Sequence, residues 1–238
     1  MFAVFKKELH SYFTSVVGYV FLVMYLGVGA AIFSYTTLFS MTADVTSFFI
    51  YMIIFSAILL PLLTMKSFSE ERKTRTEQLL LTAPISIKAM VFGKLLAAYV
   101  MFAACILLTS LYFFILNIYA VLKFFILFGN VIAILLVGLV FISIGLFVSA
   151  LTENQLAAAI GTIAIIMGFL FIGLLSSLFP QNSAYWLRFF VLDFLSVFTR
   201  FQTFSNGYFD LATLVYYLSL SGIFVYLTIR IYDRRRCG

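Results

Sequence analysis

The chain has 238 residues, of which 64% are hydrophobic, 19% aromatic and 10% charged, far from the roughly half-apolar, quarter-charged make-up of soluble domains. Its 15 basic and 9 acidic side chains, with a mean hydropathy of +1.16, are too few to face water all round, whereas lipid demands no such cover. A soluble fold is excluded, and the net charge of +6 reads as topology-setting residues beside apolar runs rather than as affinity for nucleic acid.

At the N-terminus, Phe2, Phe5, Leu9, Tyr12 and Phe13 recur at helical spacing, with Lys6, Lys7, Glu8 and His10 between them. The pattern predicts a helix over residues 1–14 lying in the membrane interface. His10 is the only histidine and has no companions for a metal site.

Six stretches follow that contain no Asp, Glu, Lys, Arg or His: Val16 to Phe39, Val45 to Met65, Leu95 to Leu122, Phe124 to Leu151, Leu156 to Phe179 and Leu211 to Ile229. Each is long enough to cross a bilayer as a helix, and the first is too long for the apolar part of a secretory signal. The expected fold is all-α, one domain over residues 1–238 built as a six-helix transmembrane bundle. With both termini in the cytoplasm, Lys6, Lys7, Lys66, Arg72, Lys73, Arg75, Lys88, Lys94, Arg230, Arg234, Arg235 and Arg236 lie inside. Only Lys123, Arg188 and Arg200 of the 15 basic residues lie outside, as the positive-inside rule requires. Thr152 to Gln155 is then a tight cytoplasmic turn, since merging its two flanking runs gives a helix no bilayer accommodates. Cys105 lies inside an apolar run and Cys237 near the C-terminus, so no disulfide is expected between them.

Three regions lie outside the spans: the interfacial helix, residues 66–88 and residues 180–210. The second holds Lys66, Glu70, Glu71, Arg72, Lys73, Arg75, Glu77 and Lys88. The i, i+4 pair of Glu71 and Arg75 supports a short helix, a second turn starts at Thr76, and Leu79, Leu80 and Leu81 form an apolar patch before a break at Ala83-Pro84. Mixed charges beside leucines suit a protein contact better than a basic anchor would. In the third region, Trp186, Phe190, Val197 and Phe201 share one helical face and Asp193, Ser196 and Arg200 another. A helix on or dipping into the outer leaflet is expected there.

The spans carry no ionisable residue able to bind a coupling ion, relay a proton or build an acid-base, nucleophilic or metal centre, and Cys105 alone makes none. Gly93-Lys94 lacks the earlier glycine and following Ser or Thr of a phosphate-binding loop. Ser34, Thr36, Thr109, Ser110, Asn130, Ser143 and Thr162 are neutral polar groups suited to joining helices. In the fifth span Ala157, Gly161, Ala164 and Gly168 fall on one face, a pattern for close helix packing.

Phe68-Ser69-Glu70-Glu71-Arg72-Lys73, then Thr76-Glu77-Gln78-Leu79-Leu80-Leu81-Thr82, Pro84-Ile85-Ser86 and Gly93-Lys94 resemble the cytoplasmic loop of type 2 ATP-binding-cassette (ABC) transporter permeases. The nearest likeness is to the branch of the gliding-motility and nitrous-oxide-maturation permeases. Phe5-Lys6-Lys7-Glu8-Leu9 with Tyr12-Phe13, Gly18-Tyr19-Val20, Ser149-Ala150-Leu151-Thr152-Glu153-Asn154-Gln155 and Gly207-Tyr208-Phe209-Asp210 extend the resemblance over most of the chain. Many relatives carry glycine where this sequence has Arg75, so a helix continuing across Arg75 is expected in place of a sharp bend.

The resemblance implies a non-enzymatic permease in a bacterial inner membrane, an exporter, that pairs with a second permease copy or a homologous permease and recruits cytosolic ATP-binding subunits. ATP and Mg would bind on that partner, and this chain would hold no cofactor. The implied coupling helix contacts the ATPase through Glu70, Glu71, Arg72, Thr76, Glu77, Leu79 and Leu80, acids meeting basic groups and leucines filling an apolar notch. The other reading is a membrane scaffold of an ATPase-regulated envelope assembly machine, with no solute crossing.

Overall fold

The computed structural model describes residues 1–41, 45–78, 86–119, 124–178, 196–205 and 210–237. The described residues are all-helical, with no strand among them. The helices are α1 (Phe2–Thr14), α2 (Val16–Phe33), α3 (Val45–Thr64), α4 (Lys66–Lys73), α5 (Ile87–Tyr119), α6 (Phe124–Leu151), α7 (Gln155–Leu178), α8 (Val197–Ser205) and α9 (Leu211–Cys237). A π-helical segment, Ser34–Phe39, extends α2. Among the described residues, six helices are long and apolar enough to cross a membrane, as the charge-free runs predict.

Length separates α5 from the rest. Its 33 residues span about 50 Å, against a hydrocarbon core of about 30 Å, so its first turns, with Lys88 and Lys94, stand at one end of the bundle. Contacts of α1 and α4 with the start of α5, and of α4 and the bend after it with the end of α9, bring both chain ends to that same end. The twelve basic residues expected on one side gather there, and we call it the charged end.

The bundle is built around α6, which touches α3, α5, α7, α8 and α9. Ala133, Val137, Val140, Phe141, Ile144 and Ala150 of α6 are all buried. At the opposite end, Phe33, Phe48, Phe49 and Phe113 pack edge-on or stacked with ring centroids 5.1 to 6.2 Å apart. Aromatic pairs in such arrangements contribute about 1 kcal/mol each beyond area burial.

The neutral polar residues of the spans turn inward on their own helices. The hydroxyls of Ser34, Thr36, Thr109, Ser110, Ser143 and Thr162 each donate to a carbonyl three or four residues back. The Asn130 amide does the same toward Ile126. The expected role in joining helices falls instead to Tyr25, whose hydroxyl is 3.0 Å from Ser56 Oγ on α3.

The small-residue face of α7 is open within the chain. Ala157, Ala164 and Gly168 are exposed, nothing lies within 4 Å of a Cβ placed on Gly168, and Gly161 alone meets its own chain, at Val148. The face buried against the bundle carries Ala158, Thr162, Ile166 and Leu170, one position round.

In the third region α8 forms as expected at Val197 and Phe201, but its apolar face packs on protein rather than lipid. Val197, Phe201 and Phe204 are each no more than 1% exposed, against α6 and α7. The Arg200 guanidinium lies 4.3 Å over the Tyr216 ring. Trp186, Phe190 and Asp193 lie outside the described residues.

Candidate coupling site

At the charged end, α4 is where the elements converge. It follows α3 after a single residue, Met65, and starts without a side-chain cap of its own. The orphan N–H groups of a first helical turn need acceptors, and a distant hydroxyl supplies one: Ser149 Oγ, from the last turn of α6, accepts from the N–H groups of Phe68 and Ser69 at 3.1 Å each. The same hydroxyl donates to the Met65 carbonyl at 3.1 Å. Ser149 thus fixes where α4 starts and ties that start to α6.

Next in line, Phe68 is fully buried, its ring 4.9 Å from that of Tyr232 on α9. Lys94 Nζ lies 5.0 Å from the centre of the Phe68 ring. Lys94 is itself only 2% exposed and pairs with Glu71 Oε1 at 2.8 Å and Glu8 Oε1 at 3.0 Å. It also donates to the Ser67 carbonyl at 2.6 Å. A buried ammonium has three donors to satisfy, and these three acceptors, from α1 and α4, take all of them.

The approach of α1 that puts Glu8 in reach depends on glycine. A Cβ on Gly93 would stand 3.1 Å from Val4 and 3.3 Å from the Phe5 nitrogen, so a larger residue beside Lys94 would hold α1 away. Gly18 does the same at the bend into α2, where Ser15 Oγ accepts from the Gly18 N–H at 3.3 Å and a Cβ would collide with the Tyr12 carbonyl.

Desolvation by the surrounding helices pushes the Glu71 carboxyl above its ordinary pKa, and the pull of Lys94 in the opposite direction is the smaller effect. Tyr12, which donates to the Leu63 carbonyl at 3.5 Å, is raised by burial and by the charge of Glu8. Between α1 and α4 a polar cavity of about 260 Å³ remains, lined by Lys7, Glu8, Ser11, Lys66, Glu70 and Glu71 among others.

Further along, Arg72 Nη1 donates to the Leu151 carbonyl at 2.9 Å, and Nη2 pairs with Glu153 at 3.0 Å. Glu77 pairs with Arg235 Nη1 at 2.9 Å, while Arg235 Nη2 holds the Ala150 carbonyl at 2.8 Å. The Thr152-Glu153-Asn154 turn between α6 and α7 forms as expected, Asn154 Oδ1 accepting from the Leu156 N–H at 3.0 Å.

The predicted contact residues therefore divide. Glu70 and Thr76 are exposed, as are Lys73, Thr74 and Arg75. Glu71, Arg72 and Glu77 are turned toward α5, the α6–α7 turn and α9, and their charges are already matched inside the chain. For Glu71 this corrects the expectation of a rim charge free for a partner, because Lys94 occupies its carboxylate. Leu79 and Leu80 lie outside the described residues.

The expected helix across Arg75 is also overturned. α4 stops at Lys73, and Arg75 takes a positive φ of 58°, the left-handed conformation that normally ends a helix on glycine. Local bonds hold it there. The Arg75 N–H reaches the Arg72 carbonyl at 3.1 Å, Thr74 Oγ1 lies 3.0 Å from Thr76 Oγ1, and Thr76 Oγ1 donates to the Glu71 carbonyl at 3.3 Å. The bend persists although the glycine is absent.

Sequence reasoning missed Lys94, Ser149, Tyr232 and Arg235 as parts of the site. Gly93-Lys94 and the 149–155 turn stood out as motifs, and a buried role for Lys94 was signalled by a lysine at the edge of an otherwise uncharged run. A comparison with curated protein sequences returns no match. The family described as ABC-2 family transporter protein matches residues 31–231, a stretch that takes in α4, Lys94, Ser149, the end of the first span and most of each of the other five. The chain therefore belongs to the ABC-2 family of transporter proteins, as a multi-pass membrane protein.

Proposed function

We propose that the chain is the permease subunit of an ABC exporter of the gliding-motility and nitrous-oxide-maturation type, working with a second permease copy. Its charged end faces the cytoplasm, in keeping with the distribution of basic residues. A separate cytosolic subunit binds ATP and Mg there and docks on the exposed face of α4 and the bend after it.

The observation that carries this reading is the two-sided character of α4. One side, with Glu70 and Lys73 and continued by Arg75 and Thr76 in the bend that follows, is charged and open. The other is fastened to α1, α5, α6 and α9 through Lys94, Ser149, Phe68 and Arg72. A helix of this kind receives a partner on one face and transmits displacement through the other. Glu70 and Thr76 make the contact, with Leu79 and Leu80 continuing it, and Glu71, Arg72 and Glu77 pass the motion on. Closure of the ATP-binding subunits then rocks the spans against the second copy and opens a path to alternate sides. The open Ala157, Ala164 and Gly168 face of α7 allows close approach of that copy.

The test uses the tagged full chain purified from its native membranes together with whatever Mg-ATP hydrolysis travels with it. Charge reversal by Glu70→Lys with Lys73→Glu is expected to remove the co-purifying hydrolysis while leaving yield and melting temperature unchanged. In intact cells, the Thr74→Cys variant should react with a membrane-impermeant maleimide only after the membrane is opened. Labelling of that variant from outside, or undiminished hydrolysis with the double variant, overturns the docking assignment.

A further inference from the structure

Apart from the coupling site, α5, α6 and α9 enclose an open slot of about 480 Å³ on the flank of the bundle. Leu95, Val225 and Ile229 are buried in its wall, while Phe92, Leu218 and Tyr226 stand exposed at its rims. The Ser221 hydroxyl donates to the Leu218 carbonyl at 3.0 Å, and the Tyr226 hydroxyl belongs to a side chain exposed at the rim. Gly222 lines it too, and a Cβ there meets nothing within 4 Å.

The dimensions select the occupant. The α9 residues lining the slot run from Leu218 to Ile229 in steps of three and four, a helical stretch of about 16 Å. That is close to half of the roughly 30 Å hydrocarbon core, the depth of one leaflet. The slot is open along its flank, with Phe92, Leu218 and Tyr226 exposed at its rims, so an acyl chain can enter it sideways from the leaflet.

Charge selects the headgroup. The end of the slot nearest the charged end of the bundle is lined by Lys88. Beside it, Arg230 Nε donates to the Tyr226 hydroxyl at 2.9 Å and its guanidinium lies 5.5 Å from that ring's centre. The nearest acid on α9 is Asp233, followed by Arg234, Arg235 and Arg236, so the balance there stays positive. A second apolar hollow between α5 and α6, lined by Leu107, Phe114, Phe125 and Phe128 among others, has no cation among the described residues of its lining.

We propose that the slot holds one acyl chain of an anionic phospholipid from the leaflet at the charged end, its phosphate set between Lys88 and Arg230. The inference does not depend on the transport reading, because it rests on the shape and charge of the spans alone.

The experiment places the full chain in vesicles doped with phosphatidylglycerol bearing a photoreactive diazirine on one acyl chain, or with a phosphatidylcholine carrying the same chain. After illumination, labelled peptides are mapped by mass spectrometry. Phosphatidylglycerol is expected to label residues 218–229 roughly tenfold more than phosphatidylcholine does, as two cations near a headgroup imply. Gly222→Leu, which fills open space in a helix that favours leucine, should abolish labelling there and leave the Phe125 hollow unchanged. Lys88→Ala with Arg230→Ala should keep the labelling and bring the headgroup ratio to about one. Equal labelling of wild type by both lipids, labelling indifferent to Gly222→Leu, or no labelling of 218–229 because another chain covers it, overturns the proposal.

Discussion

Glu71 and Lys94 lie 2.8 Å apart, one on the short helix at the charged end and the other on a long span, and the lysine is 2% exposed. The contact makes Lys94 the post to which α4 and, through Glu8, α1 are both tied. Replacing Lys94 by methionine leaves two carboxylates facing each other with no counter-charge. Removing one partner of a buried ion pair costs about 3 to 5 kcal/mol. The expected result is a large fall in the melting temperature of the purified chain for Lys94→Met. Partial recovery is expected when Glu8→Gln and Glu71→Gln are added, and no recovery would mean that the three charges do not act together.

The state of Glu71 gives the chain an unusual response to acid. Its carboxyl pKa is raised in the folded protein, chiefly by desolvation, so the folded state takes up a proton at a higher pH than the unfolded state does, and the associated stability is lost as pH rises through the folded value. As pH falls from neutral toward the ordinary carboxylate range, the wild type should therefore lose less stability than its other carboxylates alone would cause. Glu71→Gln takes a counter-charge from the buried Lys94, so it should melt below wild type at pH 7 and lack this component. A steeper acid loss in wild type than in Glu71→Gln contradicts the assignment.

Arg75 holds a left-handed conformation that costs a residue with a Cβ roughly 1 to 2 kcal/mol. Arg75→Gly should then raise stability by about 1 kcal/mol, less the extra freedom glycine gives the unfolded chain. Arg75→Val should lower it, because branching at Cβ makes positive φ harder still. Proteolysis near residue 75 under native conditions reads both effects. Equal cleavage of the two variants would show that the bend does not require positive φ.

Ser149 is a cap donated across 80 residues of sequence. Ser149→Ala removes the acceptor of two N–H groups and should cost about 1 to 2 kcal/mol, as loss of a helix cap does. The loss should be local. Amide exchange at Phe68 and Ser69 is expected to speed up while that in the middle of α6 stays as it was.

The spans, their number and the six-fold crossing were legible in the sequence because each lacks charge over a full membrane width, and lipid permits little else. The tight turn at Thr152-Glu153-Asn154 was legible for the same reason. The side-chain roles in α4 were less so. Glu71, Arg72 and Glu77 look like surface charges in one dimension, and only the arrival of Lys94, Glu153 and Arg235 from 23, 81 and 158 residues away turns them inward. Arg75 misled because propensity favours a helix there, while three local hydrogen bonds, Arg75 to Arg72, Thr74 with Thr76 and Thr76 to Glu71, favour the bend. On α7, the periodicity identified a small-residue face but could not tell which neighbour would cover it.

One residue, Ser15, separates α1 from α2, and one residue, Met65, separates α3 from α4. Joints this short have no slack. A shove delivered to either short helix becomes a swing of the long one attached to it, like a crank turning its axle. Because Lys94 pins the two cranks together, the first two spans are geared to tilt in concert rather than in turn.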